Sequence, residues 1–166
     1  MKRKVTLLLV IGAFVVNSCK SDLGYLPTRT ELLSKTWILM QLVAVSETVA
    51  PLYTKGANGN LTDLSKVQMA ILPDGTYEQI TPDGRKHSGN WSFNNNSTSL
   101  VLSDLTDNTV EEYRLAEIIA KHLTLKKVID VTSSDATSAG YVQAAKALKL
   151  DPQNNGLEMS WAFMNK

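Results

Sequence analysis

The sequence predicts a mainly β domain of about eight antiparallel strands, with one helix just before the last strand. Three observations support this prediction. Short segments of alternating apolar and polar residues recur over 37–129, with turn motifs between them. The tripeptides Pro73-Asp74-Gly75 and Pro82-Asp83-Gly84 are identical and closely spaced, as in a meander of hairpins. Helical three-to-four spacing begins only after Ser133. The pattern is typical of a sandwich or an up-and-down barrel.

The first half of the domain is expected to hold one covered strand, a long loop and a meander. Residues 37–45 are apolar on both faces, which favours a strand that is covered on both sides. The stretch 46–65 is polar and rich in turn residues, so we expect a functional or mobile loop there. Strands are then expected at 67–72 and 76–81, joined through the two Pro-Asp-Gly turns.

The second half contributes the remaining strands and the helix. Gly89, Trp91 and Phe93 share one face of a strand. Further strands are expected at 99–102, 110–119 and 123–129. Ser133-Ser134-Asp135 is a helix-start cluster, and the helix that follows ends at Asp151-Pro152. The closing strand alternates Leu157, Met159, Trp161 and Phe163 with polar and small residues.

The N-terminus has the layout of a secretory leader. Lys2, Arg3 and Lys4 precede an apolar run of 12 residues from Val5 to Val16. A bilayer-spanning helix needs about 20 residues. The segment is therefore expected to direct export without serving as a membrane span.

Val16-Asn17-Ser18-Cys19 resembles the lipobox of bacterial lipoproteins. The resemblance implies a diacylglyceryl group on Cys19 and cleavage just before it; the alternative is an ordinary secreted protein cut at the same place. Lys20-Ser21-Asp22-Leu23-Gly24 is similar to the acid-containing export signals of Bacteroidetes surface lipoproteins. The implied organisation is a signal peptide at 1–18, a lipidated tether at 19–31 and a barrel domain at 32–166. The implied location is the outer membrane, on its periplasmic or cell-surface side, with the membrane as partner through Cys19.

Charge and cysteine content narrow the function classes. Removing 1–18 takes three of the 17 lysines and arginines and none of the 16 acidic residues, so the formal net charge falls from +1 to −2. This balance gives no reason to expect a nucleic-acid partner. Cys19 is the only cysteine, so the chain must be held by its own packing without a disulfide.

The motifs of the domain resemble the lipocalin-like domains of Bacteroidetes lipoproteins. The residues that carry the resemblance are Leu33-Ser34-Lys35-Thr36-Trp37, Leu72-Pro73-Asp74-Gly75-Thr76-Tyr77, Gly89-Asn90-Trp91-Ser92-Phe93, Leu100-Val101-Leu102 and Leu123-Thr124-Leu125. They cover about residues 32–130 well and the remainder loosely. The resemblance implies a single antiparallel up-and-down β-barrel of about eight strands with one helix before the last strand.

No catalytic residue, metal ligand or cofactor is predicted. His87 lies in a basic stretch and His122 in a strand, and both are expected to be solvated. Glu111 and Glu112 are adjacent in a strand, so they should point to opposite faces and cannot act as a carboxylate pair. Asp104 and Asp107 flank a turn, which explains their presence. The protein is therefore not expected to be an enzyme.

The aromatic residues are the candidate ligand-lining group. They are Trp37, Tyr77, Trp91, Tyr113 and Trp161. They could line a cavity for an apolar or sugar ligand, or they could fill a barrel that is just wide enough for side chains. Two functions therefore stay open. One is a lipid-anchored protein that binds a small hydrophobic or glycan-derived molecule. The other is an interaction or assembly module for envelope proteins with a packed interior.

Overall fold

Nine strands and three helices make up the residues that the computed structural model describes, 26–94 and 96–166. In chain order they are α1 (Arg29–Leu33), β1 (Thr36–Val45), β2 (Val49–Thr54), β3 (Gln68–Ile71), β4 (Thr76–Ile80), β5 (Lys86–Phe93), β6 (Ser99–Asp104), β7 (Thr109–Ile118), β8 (His122–Val128), α2 (Ala136–Ala147), α3 (Pro152–Asn155) and β9 (Glu158–Asn165). The leader 1–18 and Cys19 lie outside these ranges. Within them, no helix combines the length and apolar character needed to cross a membrane.

The sheet closes into a barrel because both edges of β1 are paired. One edge runs antiparallel to β9, from Trp37 opposite Asn165 to Val45 opposite Glu158. The other edge pairs first with β3 and then with β2. Strands β3 to β8 each pair with the next strand in sequence and β9 pairs with β1, so eight strands form the ring and β2 is an extra strand beside β1. This confirms the predicted mainly β, up-and-down antiparallel barrel with a helix before the last strand.

The strand β2 is not predicted by the sequence. It lies inside the polar stretch 46–65, where Pro51 is typical of a loop. Proline is tolerated there because β2 pairs with β1 alone among the described strands, so the missing N–H can face its unpaired edge. A register shift between β1 and β2 occurs at the same point. Leu52 and Tyr53 are both buried, so this part of the expected loop belongs to the core.

The two Pro-Asp-Gly motifs form the tight turns that the sequence predicts. Asp74 accepts hydrogen bonds from the backbone N–H and the hydroxyl of Thr76, at 3.0 and 2.7 Å. Gly75 has a φ of +89° and Gly84 a φ of +86°, a region that favours glycine. These turns join β3 to β4 and β4 to β5, and they set the register of both hairpins.

One end of the barrel, here called the base, is filled by packed side chains. Trp37 is fully buried, and its indole N–H donates to the Leu33 carbonyl at 2.7 Å. The indole of Trp91 donates in the same way to the Leu72 carbonyl at 2.8 Å. Leu100 of β6, which lies opposite Phe93 of β5 at this end, is also fully buried, so packed side chains fill the base.

The opposite end, here called the mouth, carries the two long connections, which are the β2–β3 segment 55–67 and the crossover 129–157 that contains α2. The short β4–β5 and β6–β7 turns lie at the same end. Asp135 caps α2 by accepting a hydrogen bond from the Ser138 backbone N–H at 2.8 Å. Val142 and Ala145 of α2 are buried in the main hydrophobic core, so the helix is packed against the barrel.

Candidate ligand-binding site

A cavity of about 400 Å³ occupies the mouth half of the barrel. Its wall is largely apolar and comes from inward-facing residues of five strands: Leu39, Leu42, Met69, Leu102, Leu125 and Phe163. The mouth segments Thr62 to Val67 and Pro82 lie on one side, and Ala136 to Ala144 of α2 lie on the other. The volume falls within the range of small-molecule pockets, about 300–1,000 Å³.

Three aromatic rings form one side of the cavity. Trp161 of β9 contacts Tyr113 of β7 edge to face, with ring centroids 5.3 Å apart. It contacts Tyr141 of α2 in the same manner at 5.8 Å. All three side chains line the cavity, and all three remain partly exposed although they pack against the core. Their exposed surface therefore faces the cavity and is available to a bound molecule.

The two tyrosines add polar groups to this apolar site. Burial, together with the nearby Glu111 carboxylate, raises the pKa of Tyr141 to about 12. Burial is also the main cause that raises the pKa of Tyr113, followed by Tyr141 and Glu111. Both phenols are therefore neutral at physiological pH. Neither hydroxyl has a hydrogen-bond partner within 26–94 and 96–166, so both are free to bond to a ligand.

Glu111 and Lys127 form an ion pair beside the aromatic rings. The Lys127 ammonium contacts the Glu111 carboxylate and lies 5.9 Å from the centroid of the Tyr113 ring. Glu112 lies on the other face of β7, where it accepts a hydrogen bond from Asn94 at 3.4 Å. The prediction that Glu111 and Glu112 point to opposite faces is confirmed. Because Lys127 balances the charge of Glu111, the pair adds no net charge to the site.

One of the two histidines, His87, is buried where the sequence predicted a solvated side chain. His87 is 8 % exposed, so the prediction of a solvated side chain is wrong. It alternates with Gly89 and Trp91 and therefore points inward with them. The alternation of His87 with Gly89 and Trp91 is visible in the sequence, but the neighbouring Arg85 and Lys86 favoured the prediction of an exposed segment. His122 is exposed as expected, and it lies at the base while His87 lies at the mouth.

The five aromatic residues named from the sequence fall into two groups. Tyr113 and Trp161 line the cavity. Trp37, Tyr77 and Trp91 are buried in the barrel and do not line it. Tyr77 packs beside Gly89 on the neighbouring strand, where a Cβ would lie 2.9 Å from its ring.

Tyr141 also lines the cavity, although the sequence did not predict it as a ligand-lining residue. Its helical spacing with Ala145 and Leu148 marks it as part of the packed face of α2. Nothing in the sequence indicates where on the barrel that face docks.

The comparisons with known proteins find no family for this chain. No protein-family model matches it, and no curated protein matches it. The geometry alone therefore defines its class: an antiparallel β-barrel with a closed base and an apolar cavity at the mouth.

Proposed function

We propose that this protein binds a small, largely apolar molecule in the barrel cavity. The observation that carries the proposal is the cavity itself, with its aliphatic wall and the rings of Tyr113, Tyr141 and Trp161. A barrel that worked only as an assembly module would need no such space, and packing would be expected to fill it. The cavity therefore favours binding over the alternative of an interaction module for envelope proteins.

The polar groups at the site favour a neutral ligand with one or two hydrogen-bonding groups. Free phenolic hydroxyls can donate to a carbonyl or hydroxyl oxygen, while the aliphatic wall suits a hydrocarbon portion. A strongly charged head group would have to lose its hydration beside a charge pair that is already balanced. A hydrophobic molecule or a glycan-derived molecule with an apolar substituent fits this description. The proposed role is binding, with the Glu111–Lys127 pair as a neutral neighbour of the ligand.

We further propose that the protein is held at the outer membrane by lipid on Cys19. The basis is the leader and the lipobox-like sequence Val16-Asn17-Ser18-Cys19. Each buried methylene of an acyl chain contributes about 0.8 kcal/mol, so two or three chains would give stable attachment. In this arrangement the residues between Cys19 and α1 act as a tether, and the barrel can receive ligand near the membrane surface.

Ligand binding can be tested by native mass spectrometry and lipid extraction of protein purified from its own host. A near-stoichiometric small molecule would support the proposal and identify its class. The complementary test titrates the protein with the neutral fluorescent probe N-phenylnaphthylamine. Ala144→Phe places a large side chain at a cavity-lining position of α2, and we expect probe affinity to fall at least about tenfold, or 1.4 kcal/mol. Ala139→Phe, at an exposed position of the same helix, is the matched control. Absence of probe binding, or equal affinity in both variants, would contradict a ligand site in the cavity.

A further inference from the structure

Three metal-binding side chains converge at the mouth, outside the cavity. His87 lies on β5, Asp104 ends β6, and Asp107 lies in the turn that follows. The His87 Nδ1 atom is 2.8 Å from Asp104 Oδ2 and 3.5 Å from Asp107 Oδ2. All three potential ligand atoms lie within 4.8 Å of one another. We propose that His87, Asp104 and Asp107 form a binding site for a divalent transition-metal ion such as Zn²⁺ or Mn²⁺.

The spacing of the three atoms fits one metal ion. Zn²⁺ bonds nitrogen and oxygen ligands at about 2.0–2.1 Å, so neighbouring ligand atoms of a tetrahedral site lie about 3.3 Å apart. The distances of 2.8 and 3.5 Å from His87 Nδ1 to the two carboxylates lie on either side of that value. One imidazole and two carboxylates form a donor set used by Zn²⁺, Mn²⁺ and Fe²⁺. Three protein ligands leave at least one position for water.

The turn after β6 holds Asp104 in an orientation suited to a ligand. Its Oδ1 atom accepts the backbone N–H groups of Thr106 and Asp107, at 2.7 and 3.2 Å. Oδ2 is therefore directed to His87. Such outer hydrogen bonds fix ligating carboxylates in established metal sites. His87 is held equally firmly, because its side chain is only 9 % exposed.

The charges at the cluster also favour a dication. Two carboxylates face one imidazole, and a single imidazole N–H can satisfy only one of them well. Within the described ranges, neither Asp104 nor Asp107 forms an ion pair with a lysine or arginine. A divalent ion would balance both negative charges. The Asp107 side chain is 55 % exposed, so an ion can reach the cluster from solvent.

The test is isothermal titration calorimetry of the chelator-treated full chain with Zn²⁺ and, separately, with Mn²⁺. We expect saturable binding of one ion to the parent protein. His87→Ala and Asp107→Ala should each weaken binding at least tenfold. The matched controls are His122→Ala, which removes the other histidine, and Asp83→Ala, which removes an aspartate from another turn at the mouth. Both should bind like the parent. Asp107 is largely exposed, so its variant is expected to fold, and circular dichroism checks each variant.

Cys19 is a second potential ligand in the full chain, so the same titrations are made in a Cys19→Ser background. Retention of the saturable ion there would support the proposal. Loss of binding on Cys19→Ser, equal loss in the His122 or Asp83 controls, or no binding by the parent protein would overturn it. In each of those cases the cluster would be a histidine–carboxylate hydrogen bond that supports the β6–β7 turn. None of these results depends on whether the cavity binds a ligand.

Discussion

Adding a methyl group at two glycines of this protein is expected to change the free energy of unfolding in opposite directions. Gly89 lies on β5 and faces inward. A Cβ built there would lie 2.0 Å from the Ser103 carbonyl oxygen and 2.9 Å from the Tyr77 ring. Gly140 lies within α2, and a Cβ there would meet no atom within 4 Å apart from its chain neighbours and the backbone of its own helix. Gly89→Ala and Gly140→Ala are therefore a matched pair that tests the two neighbourhoods.

The magnitudes follow from these distances. Non-bonded carbon–oxygen contacts below 3.0 Å are essentially not seen, so Gly89→Ala would force β5 and β6 apart by about 1 Å. The obstacle is a backbone oxygen of the β5–β6 ladder, which cannot rotate away as a side chain can. Overpacking of this kind costs about 1–3 kcal/mol, and we expect the upper end. Gly140→Ala should instead gain about 0.5–1 kcal/mol, because alanine loses less backbone entropy in a helix.

Urea denaturation followed by tryptophan fluorescence and circular dichroism measures both changes. The two variants should differ by about 3–4 kcal/mol in free energy of unfolding, a large part of a typical total of about 5–15 kcal/mol. If Gly89→Ala changed the free energy of unfolding by less than about 1 kcal/mol, the short distance between Gly89 and the Ser103 carbonyl oxygen would be contradicted. A clear loss of stability in Gly140→Ala would contradict the finding that a methyl group at this position of α2 has free space around it.

Three further predictions concern the core, the cap of α2 and the anchor. Trp37→Ala should cost about 3–5 kcal/mol because the side chain is fully buried at the base, whereas Trp161→Ala should cost less because part of its surface already faces the cavity; urea midpoints compare them. Hydrogen bonds from Ser133 and from the backbone of Ser138 hold the pKa of Asp135 well below its ordinary value of 3.8. A lowered folded-state pKa stabilises the protein above the unfolded-state value, so Asp135→Ala should be less stable than the parent at neutral pH. That difference should shrink as the pH falls below about 4, and a constant difference in urea midpoint would contradict the charged cap. Cys19→Ser should move the protein from the membrane to the soluble fraction, and continued membrane retention would rule out a lipid anchor on that residue.

Much of the barrel could be predicted because its turns and strand faces are local properties. The Pro-Asp-Gly turns depend on residues within a few positions, and they appear where the sequence places them. Strand alternation predicts that Met159, Trp161 and Phe163 share a face, but only the structure shows that this face points inward. The strand β2 was not predicted, although it forms a hairpin with the preceding β1, because its proline is unfavourable in most strands and the stretch around it is rich in turn residues.

The candidate site was harder to predict because it depends on where distant segments meet. Alternation alone places Glu111 on the same face as Tyr113, and His87 on the same face as Gly89. It does not show that Lys127 reaches Glu111, or that Asp104 and Asp107 both approach His87. The docking of α2 over the cavity is likewise a tertiary arrangement. The two side-chain contacts depend on the register of neighbouring strands, and the docking of α2 depends on the closed barrel, so no alternation pattern encodes them.

The position of α2 has a consequence for the rate at which a molecule could enter or leave. The ring is closed by β1 and β9, so passage between strands would require breaking ladder hydrogen bonds. Passage past α2 requires only that the helix move on its flanking segments within 129–157. Movements of that type occur in microseconds to milliseconds, whereas opening a closed sheet approaches global unfolding. Amides of α2 should therefore exchange with deuterium sooner than those of β9. Substitutions in its flanking segments should alter the dissociation rate of a bound molecule more than its equilibrium affinity.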